Sequence, residues 1–495
     1  MSAAYQSGLK LSSQGRHVEA IAQYEQALAA KPDDTKVLFA LGNTAQALGL
    51  GDAAQQFYRQ VLALEPARLE ALVNLANLLR TSGQFDAAIQ LLEPALARNP
   101  QSPELRLTLG SARREKGEDE AAILHYRAAL ATNPNHAPAL ANLADMLSDA
   151  GDRAQARTLY DAAIRAEPRN PQARLNRAVL HLLNGDLKEG WRDYAARSEV
   201  PGKVPAMSGE QRLVPWTGGS LKRTRLLVRA EQGVGDQILF ASVMDDLAAR
   251  ARADGGSLVL ECEPRLVSLF ARSFPDVTVK PSVIRNIGGA AVADYGWLKT
   301  CGGANAAILM GSLPRILRGT IGAFPNPHAF LVPDAGEVAH WKSQFGQGAI
   351  GLCWRSGKSG GHRSLQYAPL AAWANLIRDV DRNFVCVQYD ALPEEVAELE
   401  SLSGRKILVP QGIDQKNELD RTAALMAALE AVITAPTAVS WLAAGVGTRT
   451  FKMLYDTSWM ALGQSYEPFA PACECIMPAE RGDWADVFAQ VKAKL

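Results

Sequence analysis

Long apolar runs are missing from this chain. No stretch of about eighteen apolar residues occurs, so no membrane span is expected, and the N-terminal MSAAYQSGLKLSSQGRHVEA holds no apolar segment for secretion. An excess of one charge is missing too, with 52 basic residues against 52 acidic ones. Wholesale binding to nucleic acid or anionic lipid needs a basic surplus and is not expected, although local basic clusters stay open. Cysteine is sparse: six residues, all after position 260, with no CxxC pair and no zinc-like histidine spacing. Cys473 and Cys475 make a lone CxC, too little for a metal site, so ordinary reduced thiols of a cytoplasmic protein are expected.

Apolar residues, by contrast, make up 47% of the 495 residues, enough for substantial cores in two or three domains. Over residues 1–199 they follow a beat of 34. Prolines recur at Pro32, Pro66, Pro100, Pro134 and Pro168, and glycines at Gly15, Gly49, Gly83, Gly117, Gly151 and Gly185. Small Ala20, Ala54, Ala88, Ala122 and Ala156 keep step, as do Tyr24, Tyr58, Tyr126, Tyr160 and Tyr194, with Leu92 as the one substitute. The period resembles that of the tetratricopeptide repeat, a helix pair that stacks on its neighbours. The glycine ends the first helix in a left-handed cap, the alanine lets paired helices approach, and the proline stops the second helix. About six units are expected, stacked into an all-α superhelix with a concave face. Asn74, Asn142 and Asn176 share one first-helix position, and Asn43 and Asn77 share another three residues on. Their amides can donate and accept together along the backbone of an extended peptide; asparagine is also common at these positions of the repeat generally.

Residues 200–224 crowd Pro201, Gly202, Pro205, Gly209, Pro215, Gly218 and Gly219, and read as an irregular linker with Trp216 packed on a neighbour. From residue 225, strands and helices alternate in two stretches, 225–330 and 331–495, separated by Pro325, Pro327 and Pro333. Alternation predicts parallel sheets with crossover helices, hence two Rossmann-like lobes and a cleft between them.

The pivot of the first lobe is LLVRAEQGVGDQILFA (Leu226–Ala241): an apolar strand, a glycine turn at Gly233 and Gly235, and a helix whose first turn holds Asp236. Free N–H groups at such a helix start attract anions. In the second lobe Arg355, Lys358, His362 and Arg363 are interleaved with glycine and serine after a strand, a composition suited to phosphate or carboxylate oxygens, or to a solvated loop. Thr437 and Ser440 open a helix after Pro436, where they serve either a donor or a simple N-cap. Gln388 ends a strand and is a weaker cleft candidate. Asp379-Val380-Asp381 spells a metal-type DxD but sits at a helix end, where surface charge is the better reading; no metal is expected.

The Gly233–Asp236 loop resembles the glycine-aspartate loop of heptosyltransferase-type enzymes of the two-domain GT-B architecture. That resemblance implies Asp236 as general base on an acceptor hydroxyl. It places the nucleotide-sugar donor, a co-substrate with no further cofactor, against Gly233, Gly235 and the motifs Gly351–Leu370 and Ile433–Gly445. Those relatives carry Asp-Thr and a histidine in the last motif, where this chain has Pro436-Thr437 and Trp441. Joined to the repeats, the chain is similar to alphaproteobacterial flagellin glycosyltransferases. This implies a cytoplasmic, metal-independent protein O-glycosyltransferase acting on Ser/Thr of a client such as flagellin, with a CMP-activated nonulosonic acid as donor and UDP-sugars second. The departures in the donor motif leave a second expectation, a non-catalytic adaptor with a degenerate transferase part.

Overall fold

The computed structural model describes residues 2–208, 213–287, 290–324, 329–357 and 365–495. Two compact units divide the chain, one built on the residues up to Asn176 and the other on most of Arg177–Leu495.

Helix pairs build the N-terminal part: Ala3–Ser13 with His17–Ala30, Thr35–Ala47 with Gly51–Leu64, and Leu69–Thr81 with Phe85–Arg98. Pro103–Lys116 with Asp119–Thr132, Ala137–Asp149 with Arg153–Ala166, and Pro171–Leu183 with Leu187–Tyr194 complete the set. The glycine of every intra-pair turn is left-handed, with φ between 75° and 90°, so the glycine beat marks the end of each first helix. The five periodic alanines are fully buried, as are Tyr24, Tyr58 and Tyr126 to within 1%. A second small position emerges here. A Cβ on Gly8, Gly42 or Gly110 would lie 2.5, 2.6 or 2.7 Å from the ring of Tyr24, Tyr58 or Tyr126, so the tyrosine face occupies the space a side chain would need.

Fourteen strands are described after residue 200: β1 (Ala206–Ser208), β2 (Val214–Pro215), β3 (Arg225–Arg229), β4 (Ser257–Cys262), β5 (Thr278–Pro281), β6 (Ile284–Ile287), β7 (Ala290–Asp294), β8 (Ala306–Leu309), β9 (Ile350–Cys353), β10 (Phe384–Cys386), β11 (Ile407–Leu408), β12 (Ala431–Thr434), β13 (Arg449–Met453) and β14 (Cys473–Ile476). One parallel sheet runs β2-β8-β3-β4-β5 and another β11-β10-β9-β12-β13-β14; β1-β7-β6 form a small third sheet. The six-stranded sheet follows the doubly wound order 3-2-1-4-5-6. Its alternate residues feed two cores, as a sheet covered on both faces requires. Phe384, Cys386 and Ile433 pack with Trp373, Leu399 and Val487, and Val385, Val387 and Val432 with Trp341 and Ala424.

Three features depart from expectation. Residues 200–224 are not wholly irregular: β1 pairs with β7, and β2 joins the first large sheet beside β8. Trp216 is buried as expected, its indole donating to the Gly219 carbonyl at 3.0 Å. A sixth strand, β14, extends the second sheet where none was foreseen. Finally, the second unit reaches back past residue 200 to Arg177, because the helix Leu187–Tyr194 and the turn Ala195–Ser198 pack into it. Trp191 stacks edge-on to Phe469, and Tyr194 lies 6.4 and 5.5 Å from the Phe240 and Trp459 rings.

Candidate functional site

Two strand-to-helix turns meet in one cleft of about 410 Å³ within the second unit. The first follows β3: Gly233 caps the helix Val234–Ala241, its N–H donating to Asp236 Oδ2 at 3.2 Å. The second follows β12: Pro436 and Thr437 lead into the helix Ala438–Gly445, and Thr437 Oγ1 accepts from Val439 N at 3.3 Å. Gly233, Gly235, Asp236, Pro436, Thr437 and Trp441 all line this space. Ser356, just past β9, lines it as well. Strands β9 and β12 are the neighbours at which the order of the second sheet reverses, the place where such sheets take ligands.

Gly235 is small because the two helices touch. A Cβ there would stand 2.5 Å from Trp441 and 3.2 Å from the Ala438 methyl. Trp441 is in turn fixed from behind, its indole donating to Glu467 and its ring lying 4.8 Å from Lys452 Nζ. Lys452 and Glu467 pair at 2.5 Å with side chains only 4% and 0% exposed. Asp236 carries a raised pKa, chiefly because burial disfavours its charge and secondarily because Glu231 is near, while the Gly233 N–H pulls the other way. A carboxylate moved toward neutrality is a better proton acceptor than an ordinary one.

Other expected site residues sit differently. Arg355 is not among the cleft-lining residues; its guanidinium is held by Glu395 at 2.5 and 2.8 Å and by Asp390 at 3.1 Å, so its charge is already answered. Gln388 is 2% exposed and saturated: Oε1 accepts from Trp354 N and Arg355 N, both at 3.0 Å, and Nε2 donates to Arg355 O and Asp390. It ties β9 to β10 instead of facing a ligand. Ser440 is fully buried and donates to Thr437 O at 2.7 Å. Lys358, His362 and Arg363 lie outside the described residues. The two DxD aspartates pair with surface cations, Asp379 with Lys492 and Asp381 with Arg405.

Three wall residues were not foreseen. Lys416 lines the cleft with no ion-pair partner among the described residues, and Arg265 beside it pairs with Glu263. Gln415 donates to the Cys386 carbonyl at 3.1 Å, leaving Oε1 without a partner among the described residues. Gln415 and Lys416 lie on the loop after β11, so the logic applied to Arg355, a polar loop leaving the carboxyl end of a strand, also finds them.

In the repeats the asparagines bond across neighbouring units. Asn74 Nδ2 reaches Asn43 Oδ1 at 3.1 Å, Asn142 reaches Ser111 at 3.2 Å, and Asn176 reaches Asp145 at 3.0 Å, each 31 residues back. Tyr58 donates to Asn43 at 2.7 Å, and Tyr160 donates to Asp145. Asn43 is exposed, and Asn77 makes no side-chain hydrogen bond among the described residues. Arg114 adds charge to Asp145 and Asp149 at 3.4 and 3.1 Å, while burial raises the Asp145 pKa.

The helical part is a tetratricopeptide array: models of that repeat match residues 11–78, 73–137 and 142–202. The chain is similar to Protein FlbA of Caulobacter vibrioides, 35% identical over 327 residues, 64% of this chain and 54% of that protein. It thus spans about half the length of this relative. Among solved structures, MamA is 25% identical, with 34% of this chain and 96% of MamA covered and a TM-score of 0.30. A thermophilic tetratricopeptide protein of Thermus thermophilus is also 25% identical, covering 36% of this chain and 98% of that one with a TM-score of 0.32. No helix among the described residues is long and apolar enough to cross a membrane.

Proposed function

We propose that the chain is a protein O-glycosyltransferase that takes a sugar from a nucleotide-activated donor and places it on Ser or Thr of a protein client held by the repeats. The observation that carries this reading is the meeting of the Gly233–Asp236 turn and the Pro436–Thr437 turn in one cleft at the ends of two parallel sheets. The acceptor hydroxyl oxygen attacks the anomeric carbon, its proton passes to Asp236, and the bond to the nucleotide phosphate breaks with the electron pair leaving on the nucleotide. The amides opening the helix Ala438–Gly445 and the Lys416 ammonium stabilise that departing charge without a metal. Gln415 Oε1 offers an acceptor to a base or ribose. Flagellin is the client we favour, on the resemblance to flagellin glycosyltransferases, with a CMP-activated nonulosonic acid as donor and UDP-sugars second.

Purified chain, flagellin and each donor are incubated and the flagellin is weighed. A gain of one or more sugar masses is expected, and flagellin of unchanged mass with every donor overturns the proposal. One observation favours a second reading, an adaptor: Arg355 is consumed by Glu395 and Asp390, and Trp441 fills the place of a histidine. A rise in melting temperature with any nucleotide argues against that alternative.

A further inference from the structure

The stretch Ala230–Gly233, which aims Asp236, is held residue by residue. Ala230 N donates to Glu261 at 3.0 Å, and Gly233 N donates to Asp236. Between them lies Gln232, a residue with a side chain in the left-handed region (φ 61°), a strained conformation that persists only where its surroundings enforce it. The enforcing groups come from the end of the repeat array. Gln232 Nε2 donates to Tyr194 at 2.9 Å. Glu231 receives Arg197 in a two-pronged pair at 2.6 and 2.9 Å, with side chains 1% and 3% exposed. Arg197 also donates to Ser312 at 2.8 Å and lies over the Tyr194 ring at 4.6 Å. Gly311 N donates to Glu231 at 2.7 Å, and a Cβ on Gly311 would stand 2.9 Å from that carboxylate. Trp191 anchors the same helix, donating to Arg318 O at 3.0 Å.

We infer that Arg197 and Tyr194, at the end of the last repeat, are positioning residues of the cleft: they hold Glu231 and Gln232 in the one backbone shape that turns Asp236 into the cleft. The last helix of the repeat pattern and the turn after it, which belong to the second unit, therefore supply part of the site. A buried ion pair contributes little net stability when both partners are replaced by apolar groups of like size, while removing one partner strands a buried charge. That difference separates positioning from bulk stability.

The test uses the full chain with Arg197→Met, Arg197→Lys and the double variant Arg197→Met/Glu231→Leu. Amide hydrogen exchange is followed over residues 230–241, and binding of UDP and of CMP is measured by titration. In the double variant the melting temperature should return close to that of the parent. Its 231–237 amides should nevertheless exchange about tenfold faster or more, while the six-stranded sheet stays protected. Affinity for whichever nucleotide the parent binds should fall about fivefold or more. Arg197→Lys, which keeps the charge but loses the fork, should fall between. Parent-like exchange in the double variant overturns the inference, even if Arg197→Met alone fails to fold. The affinity arm rests on the transferase reading and the exchange arm does not, so a parent chain that binds neither nucleotide defeats that reading alone.

Discussion

Gly235 lacks a side chain because Trp441 stands where one would go. Gly235→Ala is expected to destabilise the chain by about 1–3 kcal/mol, since the new methyl would stand 2.5 Å from a rigid indole that Glu467 and Lys452 back and keep from moving aside. Adding Trp441→Leu should recover much of the loss in chemical denaturation, and no recovery would mean the clash lies elsewhere. Lys452→Met alone strands Glu467 and should cost about 3–5 kcal/mol, with Lys452→Met/Glu467→Leu recovering most of it.

Asp236 gives the pH dependence. Its pKa is raised in the folded chain, so its stabilising contribution is present below the ordinary aspartate value and is lost as pH rises through the folded value. Asp236→Asn should therefore melt higher than the parent at neutral pH, and the gain should shrink on acidification. The same substitution should abolish sugar transfer. In the parent, the acid limb of kcat/KM should lie above the ordinary aspartate range, and Glu231→Gln should move it to lower pH. A limb unmoved by that change would remove Glu231 from the account.

At the scale of elements, Gly42 and Gly110 make the repeats close. Gly42→Val should destabilise the array by about 1–3 kcal/mol, and Tyr58→Leu should relieve it, both read by far-UV circular dichroism on denaturation. The position stays small in every repeat, Ala76 preceding Leu92 while Ala144 and Ala178 precede Tyr160 and Tyr194, so a methyl is accommodated in those units and a larger side chain occurs in none. The repeats were legible because one position does one physical job every 34 residues; each turn glycine is left-handed, and each periodic alanine is buried.

The Gly233 turn was legible for a related reason, since a strand, two glycines and a helix start are all local. Arg355 was misread because the carboxylates that take its charge, Asp390 and Glu395, lie 35 and 40 residues on, and no local pattern shows that return. Gln388 was misread likewise, its partners being backbone groups of another strand. Strand β14 escaped notice because CECI is short and carries a glutamate, its partner register being supplied by β13. The cross-repeat bonds of Asn74, Asn142 and Asn176 span 31 residues and become visible only when units stack.

Over the whole molecule, all nine tryptophans fall after Arg177, from Trp191 to Trp484. Tryptophan fluorescence therefore reports on the second unit, while far-UV dichroism is weighted by the helices of the first. Because repeat arrays are stabilised by neighbour contacts and unfold with limited cooperativity, the two signals should give non-coincident urea curves. Superimposable curves would show the units unfolding as one.

The β2 strand in the proline- and glycine-rich segment also bears on how such a chain can be rebuilt. Val214 and Pro215 are registered against Ala306 and Ala307, and Met207 against Ala293, so the described residues of this stretch are paired into two sheets. A foreign repeat array grafted at residue 200 would also discard Trp191, Tyr194 and Arg197. The workable splice lies upstream, within the helix Pro171–Leu183, where the host keeps its own last turn and only the outer units are exchanged.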